Sequence, residues 1–415
     1  MKKLQSVRGV LDLFPENKSI HNYITETAKL ISSNFGFQEI ETPIFEFAEV
    51  FSRPLGQTSD VVSKETYNFE DRSGELLTLR PEGTAGVIRA VISSGNYNNI
   101  PLKYFYRGPM FRYERPQKGR LRQFNQIGVE LLGVSEPYAD AEVISCAVEY
   151  LKSLDVLSNC NLNINTLGDL ESRIRYKEIL TKFLKENQTY LSPISKKRLE
   201  LNPLRILDSK EAEDQEIIKN VPLYKNFLNN TSKKHFDSLL GFLDKINIKF
   251  EINSKLVRGL DYYCHTVFEF ITNDLGSQGT VLGGGRYDGL SEILSGPKLP
   301  GVGFSAGVER LSLLSNKNFP KKLRIAIIPF EETDFKNAFE LLNNLRINKF
   351  DSEIFQFGNI SKQLKKANKK GFDFAILLGG EEFKSGKIIF KNLLQSSQIE
   401  ISKDEIFSFL TDLIK

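Results

Sequence analysis

The segment RQFNQIGVELL, Arg122–Leu132, decides the fold prediction. Its side chains alternate with a period of two, as in a β-strand, where neighbouring residues point to opposite faces of the sheet. One face would carry the apolar residues Ile127, Val129 and Leu131. The other face would carry Phe124, Gln126, Gly128 and Glu130. The apolar set predicts a core face and the polar set could line a pocket, although the alternation alone also fits a polar face in contact with solvent.

A second strand is predicted just upstream, over Lys103–Tyr113, and the polar turn Glu114–Arg120 contains the Pro and Gly typical of a long hairpin loop. Five arginines lie on this hairpin: Arg107, Arg112, Arg115, Arg120 and Arg122. Arginine is the permanently charged, bidentate partner of phosphate groups. The hairpin could therefore bind a triphosphate, with a charged solvent face as the alternative. The sequence contains no Gly-x-x-x-x-Gly-Lys-Ser/Thr motif, so a P-loop is not expected.

Outside the hairpin, apolar residues at helical spacing predict helices over residues 16–35 and 138–154, and alternation predicts a strand over 161–167. Residues 170–245 are rich in Lys and Glu and helical in pattern. They are interpreted as an inserted helical module, and the alternative is a helical layer of the main domain. Residues 253–312 return to a pattern of strands and glycines.

A change in pattern follows Lys321-Lys322. Strands and helices then alternate, which predicts a separate small α/β domain with a parallel-rich sheet. The predicted order is strand Leu323–Pro329, helix Phe335–Leu345, strand Glu353–Phe357, basic helix Ser361–Lys370 and strand Phe374–Leu378.

The composition is that of a globular protein, with 40% hydrophobic and 26% charged residues in a chain of 415. No apolar run approaches the length of a membrane span and no secretory signal is visible, so a cytoplasmic protein without a membrane partner is predicted. The three cysteines (Cys146, Cys160 and Cys264) and three histidines (His21, His235 and His265) indicate free thiols and argue against a dedicated metal site. A net charge of +4 permits a polyanionic partner without requiring one.

Three further segments carry groups that could act in a site: Leu79–Thr84, Val257–Tyr263 and Gly283–Gly289. The first places a carboxylate and a hydroxyl in a turn, the second offers an arginine and two phenols, and the third lets backbone approach a ligand closely. Each is a weak signal alone, because glycine runs also form simple turns and paired tyrosines also fill cores.

Together these segments resemble the class II aminoacyl-tRNA synthetases, and specifically the histidyl family. Gly36–Pro43 resembles motif 1 of the class, Phe111–Phe124 resembles motif 2 and Gly301–Leu311 resembles motif 3. The strings that resemble the histidyl family itself are Arg8–Asp12, Leu256–Tyr263 and Gly284–Leu290. The resemblance covers nearly the whole chain.

The resemblance implies an α+β fold, with a class II antiparallel-sheet catalytic domain over residues 1–322, a helical insertion at about 170–245, and a C-terminal α/β anticodon-binding domain over 323–415. It implies a homodimer that activates histidine with ATP and Mg²⁺, forms histidyl-adenylate and transfers the histidyl group to the 3′ end of tRNA(His). AMP and pyrophosphate are the expected by-products.

The family's residue roles carry over by position. Arg258 and Arg112 would be catalytic, and ATP would contact Arg112, Phe124 and Arg310. Histidine would contact Glu82, Gly83, Thr84, Gln126, Glu130, Tyr262, Tyr263 and Tyr287. The tRNA acceptor end would contact Arg115, Gln117 and Arg120. No metal cage built by the protein is expected.

Three other interpretations stay open at this point. One is a stand-alone nucleic-acid-binding module, which would not need the polar pocket. A paralogue of the catalytic domain serves as a regulatory subunit in histidine biosynthesis, but it lacks the C-terminal domain and tends to lose catalytic residues. A synthetase for another amino acid would share the class motifs without the Leu256–Tyr263 string. The sequence does not indicate how tRNA identity nucleotides are read or what the module at 170–245 does.

Overall fold

A computed structural model of the chain describes residues 3–55, 65–207, 209–258, 262–276, 279–315, 323–395 and 397–414. The chain forms two compact units, Met1–Lys317 and Asn318–Lys415. Each unit has its own hydrophobic core. The predicted domain boundary at Lys321-Lys322 lies outside the described residues, as do residues 259–261 of the Leu256–Tyr263 segment.

The first unit is built on an eight-stranded sheet, with a small three-stranded sheet beside it. The strands are β1 (Gln38–Glu39), β2 (Phe45–Phe47), β3 (Tyr67–Glu70), β4 (Leu76–Leu79), β5 (Leu102–Phe111), β6 (Gln123–Leu132), β7 (Asn161–Thr166), β8 (Glu251–Ile252), β9 (Cys264–Ile271), β10 (Thr280–Arg286) and β11 (Gly301–Gly307). The large sheet has the order β1-β5-β6-β11-β10-β9-β7-β8 and the small sheet the order β2-β4-β3. The outer pairs β1–β5 and β7–β8 are parallel, and the described pairs between them are antiparallel.

The predicted hairpin is β5–β6, which lies within the sheet and continues into β11. Its register places Tyr106 opposite Gly128, and the register of β6 with β11 places Glu130 opposite Gly303. A large polar side chain therefore faces a glycine at two points of the sheet. This pairing of large and small residues leaves room above the polar face.

Ten helices are described in the first unit. They are α1 (Pro15–Asn34), α2 (Glu49–Leu55), α3 (Thr84–Ser94), α4 (Pro137–Ser153), α5 (Leu170–Glu186), α6 (Pro193–Leu201), α7 (Ala212–Ile218), α8 (Asn230–Lys245), α9 (Leu290–Ile293) and α10 (Val308–Leu314). Residues of α1, α4, α8 and α10 form one buried cluster with Ile127, Val129 and Leu131. The predicted core face of β6 is therefore confirmed, and burial of each such side chain contributes about 1.5–3 kcal/mol to stability.

The helices of residues 170–245 pack into two different buried clusters. Helix α8 contributes Phe236, Leu239 and Leu243 to the main core against α4. Helices α5 to α7 belong instead to a second buried cluster, which also contains Leu256, Tyr262 and Tyr263. The stretch is thus joined both to the main core and to the segment that resembles the histidyl family.

A buried ion pair ties the sheet to the helical layer. Arg286 at the end of β10 pairs with Asp140 in the first turn of α4, and both side chains have zero exposure. Arg286 also donates to the carbonyl of Val134 at 2.9 Å. Burial opposes ionisation of Asp140, but the Arg286 guanidinium and the hydrogen bonds with His235 and Arg286 lower its pKa to about 2. Removing one partner of such a pair would leave a buried, unpaired charge, so the end of β10 is firmly fixed.

The second unit has a five-stranded mixed sheet. Its elements are β12 (Arg324–Pro329), α11 (Phe335–Ile347), β13 (Asp351–Ile354), α12 (Ile360–Lys369), β14 (Phe374–Leu378), α13 (Gly380–Lys384), β15 (Lys387–Asn392), β16 (Ser397–Ser402) and α14 (Ile406–Ile414). The order is β13-β12-β14-β15-β16, with β13, β12 and β14 parallel and the last two strands antiparallel. The sequence prediction placed the second strand too late, at Glu353–Phe357, and gave no element after β14. Among the described residues, no helix of either unit combines the length and hydropathy needed to cross a membrane.

Candidate active site

The polar face of β6 is buried, so its interpretation as a solvent face is wrong. Gln126 is 6% exposed and Glu130 is 1% exposed. The face is covered by Thr84 at the start of α3 and by Tyr106, Tyr263 and Tyr287, whose side chains are also buried. A carboxylate and an amide enclosed in this way need hydrogen-bond partners, from the protein or from a ligand.

Glu130 is held from two sides. The Thr84 hydroxyl donates to Glu130 Oε1 at 2.7 Å, and the Tyr287 hydroxyl donates to Glu130 Oε2. Burial raises the pKa of Glu130 to about 8, although both hydrogen bonds favour the ionised form. Near neutral pH this carboxyl can therefore exchange a proton with whatever binds beside it, and its position is fixed by its neighbours.

Glycines provide the space that these side chains occupy. A Cβ atom at Gly303 would collide with the carboxylate of Glu130, and one at Gly301 would collide with the ring of Tyr287. The pattern repeats on the neighbouring strand, where a Cβ at Gly285 would meet the Tyr263 ring and one at Gly283 would meet the Arg258 guanidinium. The glycine runs predicted to allow close approach of a ligand thus make room first for the protein's own polar side chains.

Glu82 lies at the beginning of α3, where free backbone N–H groups favour an anion. Its carboxylate accepts from the amide of Thr84 at 2.6 Å and from the amide of Ala85 at 2.9 Å. The side chain is 4% exposed, and burial raises its pKa. The helix start orients a second carboxylate towards the pocket that contains Glu130.

Aromatic rings form the wall of this pocket. The Tyr262 and Tyr263 rings lie 4.7 Å apart and the Tyr262 and Tyr287 rings meet edge to face at 5.9 Å. Burial raises the pKa of all three phenols, so they remain protonated donors. Arg173 of α5 donates to the carbonyl of Tyr263 at 3.0 Å, which connects the helical stretch to this wall.

A cavity of about 200 Å³ adjoins the pocket and is lined by four arginines. They come from four places in the sequence: Arg112 after β5, Arg120 in the hairpin loop, Arg258 before β9 and Arg310 in α10. Burial lowers the pKa of Arg310, and the charges of Arg120 and Arg112 lower it further. Such a concentration of half-buried positive charge favours a polyanionic ligand.

The four arginines differ in their partners. Arg120 is ion-paired with Glu114, and Arg258 is ion-paired with Glu269. Arg112 donates to the carbonyl of Pro81 at 2.8 Å, and Arg310 donates to the carbonyl of Thr280 at 2.5 Å. Arg112 also lies 3.9 Å from the Glu114 carboxylate, so Arg112 and Arg120 share one counter-charge, Arg258 has its own, and Arg310 is held by carbonyl groups.

An aromatic ring lies at the edge of the cavity. The Arg112 guanidinium lies over the Phe124 ring, 5.4 Å from its centroid. Glu309 accepts from the backbone amide of Asn125 at 2.8 Å and fixes the start of β6 against α10. Phe124 is therefore presented at a defined place beside the arginines.

The structure separates the hairpin-loop residues that were predicted to act together. Arg115 and Gln117 are exposed, whereas Arg120 is half-buried, pairs with Glu114 and lines the cavity. Gly83 lies against Tyr106, because a Cβ at this position would collide with the Tyr106 ring. The predicted pocket and cavity residues otherwise lie together in the first unit.

Sequence reasoning missed four residues of the site: Tyr106, Glu269, Thr280 and Ser305. Tyr106 was predictable in principle, since the hairpin register places it opposite Gly128. Ser305 accepts a hydrogen bond from the amide of Gln126 at 3.1 Å across β11. Glu269 and Thr280 gave no sequence signal, because their role depends on where the Arg258 side chain lies in the folded chain.

Cys146 is buried and Cys160 and Cys264 are half-buried, all three as free thiols. Within the described residues, no cluster of three or more His, Cys, Asp or Glu side chains could hold a metal ion.

The chain is similar to proteins of one family over its full length. The sequence model described as histidyl-tRNA synthetase matches residues 9–311, and that of an anticodon binding domain matches residues 324–413. The chain is 48% identical over 413 residues to a histidine–tRNA ligase of Rhodospirillum rubrum, with 99% of each chain covered. It is 47% identical over 413 residues to that of Gluconacetobacter diazotrophicus, with 100% of each covered. The crystal structure of an apo histidyl-tRNA synthetase from S. aureus superposes with a TM-score of 0.81 at 33% identity, covering 98% of this chain and 99% of the other.

The titration of Glu130 yields a stability prediction. Its pKa of about 8 in the folded protein exceeds its ordinary value of 4.5, so between these values the folded chain holds a proton that the unfolded chain has released. The Glu130 contribution to stability is thus present below about pH 4.5 and is lost as the pH rises through about 8. In Glu130→Gln this part of the pH dependence should be absent. The free energy of unfolding of the variant should therefore rise relative to that of wild type between about pH 5 and about pH 8.5.

Urea unfolding of the full chain at about pH 5 and about pH 8.5 measures the effect. Glu251→Gln, an exposed glutamate on the edge strand β8, is the matched control and should follow wild type. Parallel pH profiles for wild type and Glu130→Gln would show that Glu130 is not the buried titrating group described above.

Proposed function

The chain belongs to the histidyl-tRNA synthetase family, and we infer that it ligates histidine to tRNA(His). Histidine reacts with ATP to give histidyl-adenylate and pyrophosphate, and the histidyl group then passes to the 3′ end of the tRNA with release of AMP. The observation that carries this proposal is the buried pair of carboxylates, Glu82 and Glu130, next to the four-arginine cavity. One part suits an amino acid with a polar side chain and the other suits a triphosphate.

The alternative of a catalytically silent regulatory subunit is not supported. Relatives named histidine–tRNA ligase are 40–48% identical over nearly the whole chain, including the C-terminal unit. Arg112, Arg258 and Arg310 are present and line one cavity. A synthetase for another amino acid is likewise not supported by these relatives.

We propose that the substrate histidine lies between the two carboxylates. Glu82 would bind its α-ammonium group, with Thr84 and Gln126 nearby. Glu130 and Tyr263 would take the two imidazole nitrogens, since neutral imidazole offers one donor and one acceptor. An amino acid without these groups would occupy the buried site without a hydrogen bond to Glu130 or Tyr263, and that loss discriminates strongly between substrates. Gly83, Tyr262 and Tyr287 would complete the wall of the pocket.

ATP would occupy the arginine cavity, with Phe124 stacked on the adenine. Arg112 would bind the α-phosphate, and Arg310 would hold the far end of the triphosphate and flank the adenine. Mg²⁺ would enter with ATP and be held mainly by the β- and γ-phosphates, because Glu114 and Glu269 are already paired with arginines and Glu309 with Asn125. The ion would neutralise charge on the leaving pyrophosphate.

The chemical step would be in-line attack of a histidine carboxylate oxygen on the α-phosphorus. A bond forms between this carboxylate oxygen and the α-phosphorus. The bond from the α-phosphorus to the oxygen that bridges the α- and β-phosphates breaks, and its electron pair leaves with pyrophosphate. Arg258 and Arg112 would stabilise the negative charge that grows on the α-phosphoryl oxygens. In the second step the oxygen of a terminal ribose hydroxyl of the tRNA attacks the carbonyl carbon of the adenylate and the hydroxyl proton is released. The bond from this carbon to the phosphate oxygen breaks, and AMP leaves with the electron pair.

We propose that tRNA contacts both units. The exposed loop residues Arg115 and Gln117 would reach the acceptor end, and Arg120 would act from the cavity side of that loop. In the second unit, α12 and the residue after it present exposed lysines that could contact phosphates. These lysines are Lys362, Lys365, Lys366, Lys369 and Lys370.

We further propose a homodimer that associates through the small sheet. Phe45, Phe47, Phe69 and Leu76 are between 42% and 55% exposed, and the Phe45 and Phe69 rings meet edge to face. A grouped apolar surface of this kind is typical of a protein interface. The segment Gly36–Pro43, which resembles the dimer-forming motif of the class, leads directly into β2.

Amino-acid-dependent ATP–pyrophosphate exchange tests the proposed activity. Purified protein should support exchange with histidine and with none of the other standard amino acids, because only histidine pairs both Glu130 and Tyr263. Folded protein that binds histidine but supports no exchange would contradict the proposal and favour the regulatory-subunit alternative.

A second prediction concerns Arg258. The Arg258→Ala variant should form histidyl-adenylate on the order of 10²- to 10³-fold more slowly, because a donor aimed at the transition-state charge is lost. Rapid-quench measurement of a single turnover gives this rate, and calorimetry should show histidine binding retained. Arg175→Ala, an exposed arginine on α5, is the control and should behave as wild type. Near-normal activation by Arg258→Ala would refute the role.

A further inference from the structure

Glu269 on β9 belongs to no motif identified in the sequence, yet it contacts the arginine that the proposed reaction needs most. Its side chain is 15% exposed and that of Arg258 is 17% exposed. One carboxylate oxygen pairs with Arg258 Nη1, and the other accepts from the Thr280 hydroxyl at 3.0 Å. The carboxylate is therefore fixed by β10 on one side and fixes a guanidinium on the other.

Electrostatics explains why such a partner is needed. Arg258 lies near Arg112, whose pKa is lowered first by burial and also by the charge of Arg258. Without a counter-charge, the guanidinium of Arg258 would be repelled from the cavity by the other arginines. Burial works against ionisation of Arg258, but the charge of Glu269 and the hydrogen bond that Arg258 donates to Glu269 raise its pKa.

The ion pair occupies one edge of the guanidinium. Arginine has five N–H donors in a planar arrangement, so a carboxylate on Nη1 leaves donors free for a second acceptor. Arg258 Nε is buried and has no hydrogen-bond partner among the described residues. Because a buried donor without a partner is costly, this atom is a position where a ligand oxygen would be favourable.

Arg258 also lacks support from regular structure. It follows β8 in a segment outside the sheet, and the described chain resumes at Tyr262 just before β9. The Gly283 position on β10 leaves space for its guanidinium, but empty space does not orient a side chain. The Glu269 carboxylate supplies the orientation, and Thr280 links this arrangement to Arg310 through its carbonyl.

We propose that Glu269, held by Thr280, is a positioning residue that orients Arg258 so that its remaining N–H groups face the α-phosphate of ATP. This inference rests on the proposed function. Glu269 itself contacts no histidine-pocket residue named above, so its loss should affect the rate of activation and not the affinity for histidine. It acts through Arg258, so its effect should disappear where Arg258 is absent.

A double-mutant cycle in the full-length enzyme tests this. The variants are Glu269→Gln, Arg258→Ala and the combination of both, with Glu251→Gln as the exposed-glutamate control. In Glu269→Gln, kcat for histidine-dependent ATP–pyrophosphate exchange should fall on the order of 10- to 100-fold, as a small misplacement of a catalytic group causes. The KM for histidine should stay at the wild-type value, and Glu269→Asp should recover part of the rate.

The combined variant distinguishes positioning from a structural role. Addition of Glu269→Gln to Arg258→Ala should cause no further loss of rate, because the two residues act as one unit. Losses that multiply, or a KM for histidine that rises with the fall in kcat, would overturn the inference. If thermal unfolding shows that Glu269→Gln fails to fold, Thr280→Val replaces it. This variant should show a smaller fall in kcat, again with an unchanged KM for histidine. A wild-type rate in Thr280→Val would then overturn the inference.

The exchange assay distinguishes failure of the proposed function from failure of the proposed role of Glu269. Wild-type protein without histidine-dependent exchange would contradict the proposed function, and this inference with it. Wild-type exchange together with an unimpaired Glu269→Gln enzyme would overturn the role of Glu269 alone.

Discussion

The site depends on the free space that glycines leave on the polar side of the central sheet. Four glycines on β10 and β11 lie where any Cβ would collide with a polar side chain of the site. Backbone hydrogen bonds of the sheet hold these positions, so the space cannot be recovered by movement of a loop. Glu130, Tyr287, Tyr263 and Arg258 converge because the strands beneath them carry no side chains at those points.

The burial that this space permits has an electrostatic consequence. Glu82 and Glu130 are enclosed, and burial raises the pKa of both carboxyls. On the cavity side, four arginines share two paired carboxylates, so positive charge is in excess before any phosphate binds. The arginine cavity therefore gains stability from an anionic ligand, and the raised pKa of the two carboxyls is a common property of functional sites. The buried pair of Asp140 and Arg286 next to Tyr287 shows how firmly one end of this arrangement is fixed.

The sequence predicted the parts of this architecture that depend on local pattern. Alternation along Arg122–Leu132 identified the hairpin strand and its core face, and the predicted α+β fold with its C-terminal unit is confirmed by the structure and by the similar proteins. The same alternation left open whether Gln126 and Glu130 face solvent or a pocket, because period two does not reveal what covers a face. Only the tertiary positions of α3 and of the segment around Tyr263 decide it. The sequence prediction also placed β13 too late and did not identify β15 and β16. Glu269 acts through contacts with Arg258 and Thr280 that form only in the folded chain, and no local pattern identifies it.

Histidine binding to Gly301→Ala, measured by calorimetry, tests most directly whether glycine-made space positions the site. A methyl group at residue 301 would displace the Tyr287 ring that holds Glu130, whereas a methyl group at Gly307 of the same strand would contact no described atom within 4 Å. Histidine should bind Gly301→Ala at least about tenfold more weakly, as expected when a buried hydrogen bond of the pocket is lost. Gly307→Ala should bind histidine as wild type does, and both variants should remain folded. Wild-type affinity in Gly301→Ala would contradict the account, because Tyr287 and Glu130 would then not depend on the space that the glycine leaves.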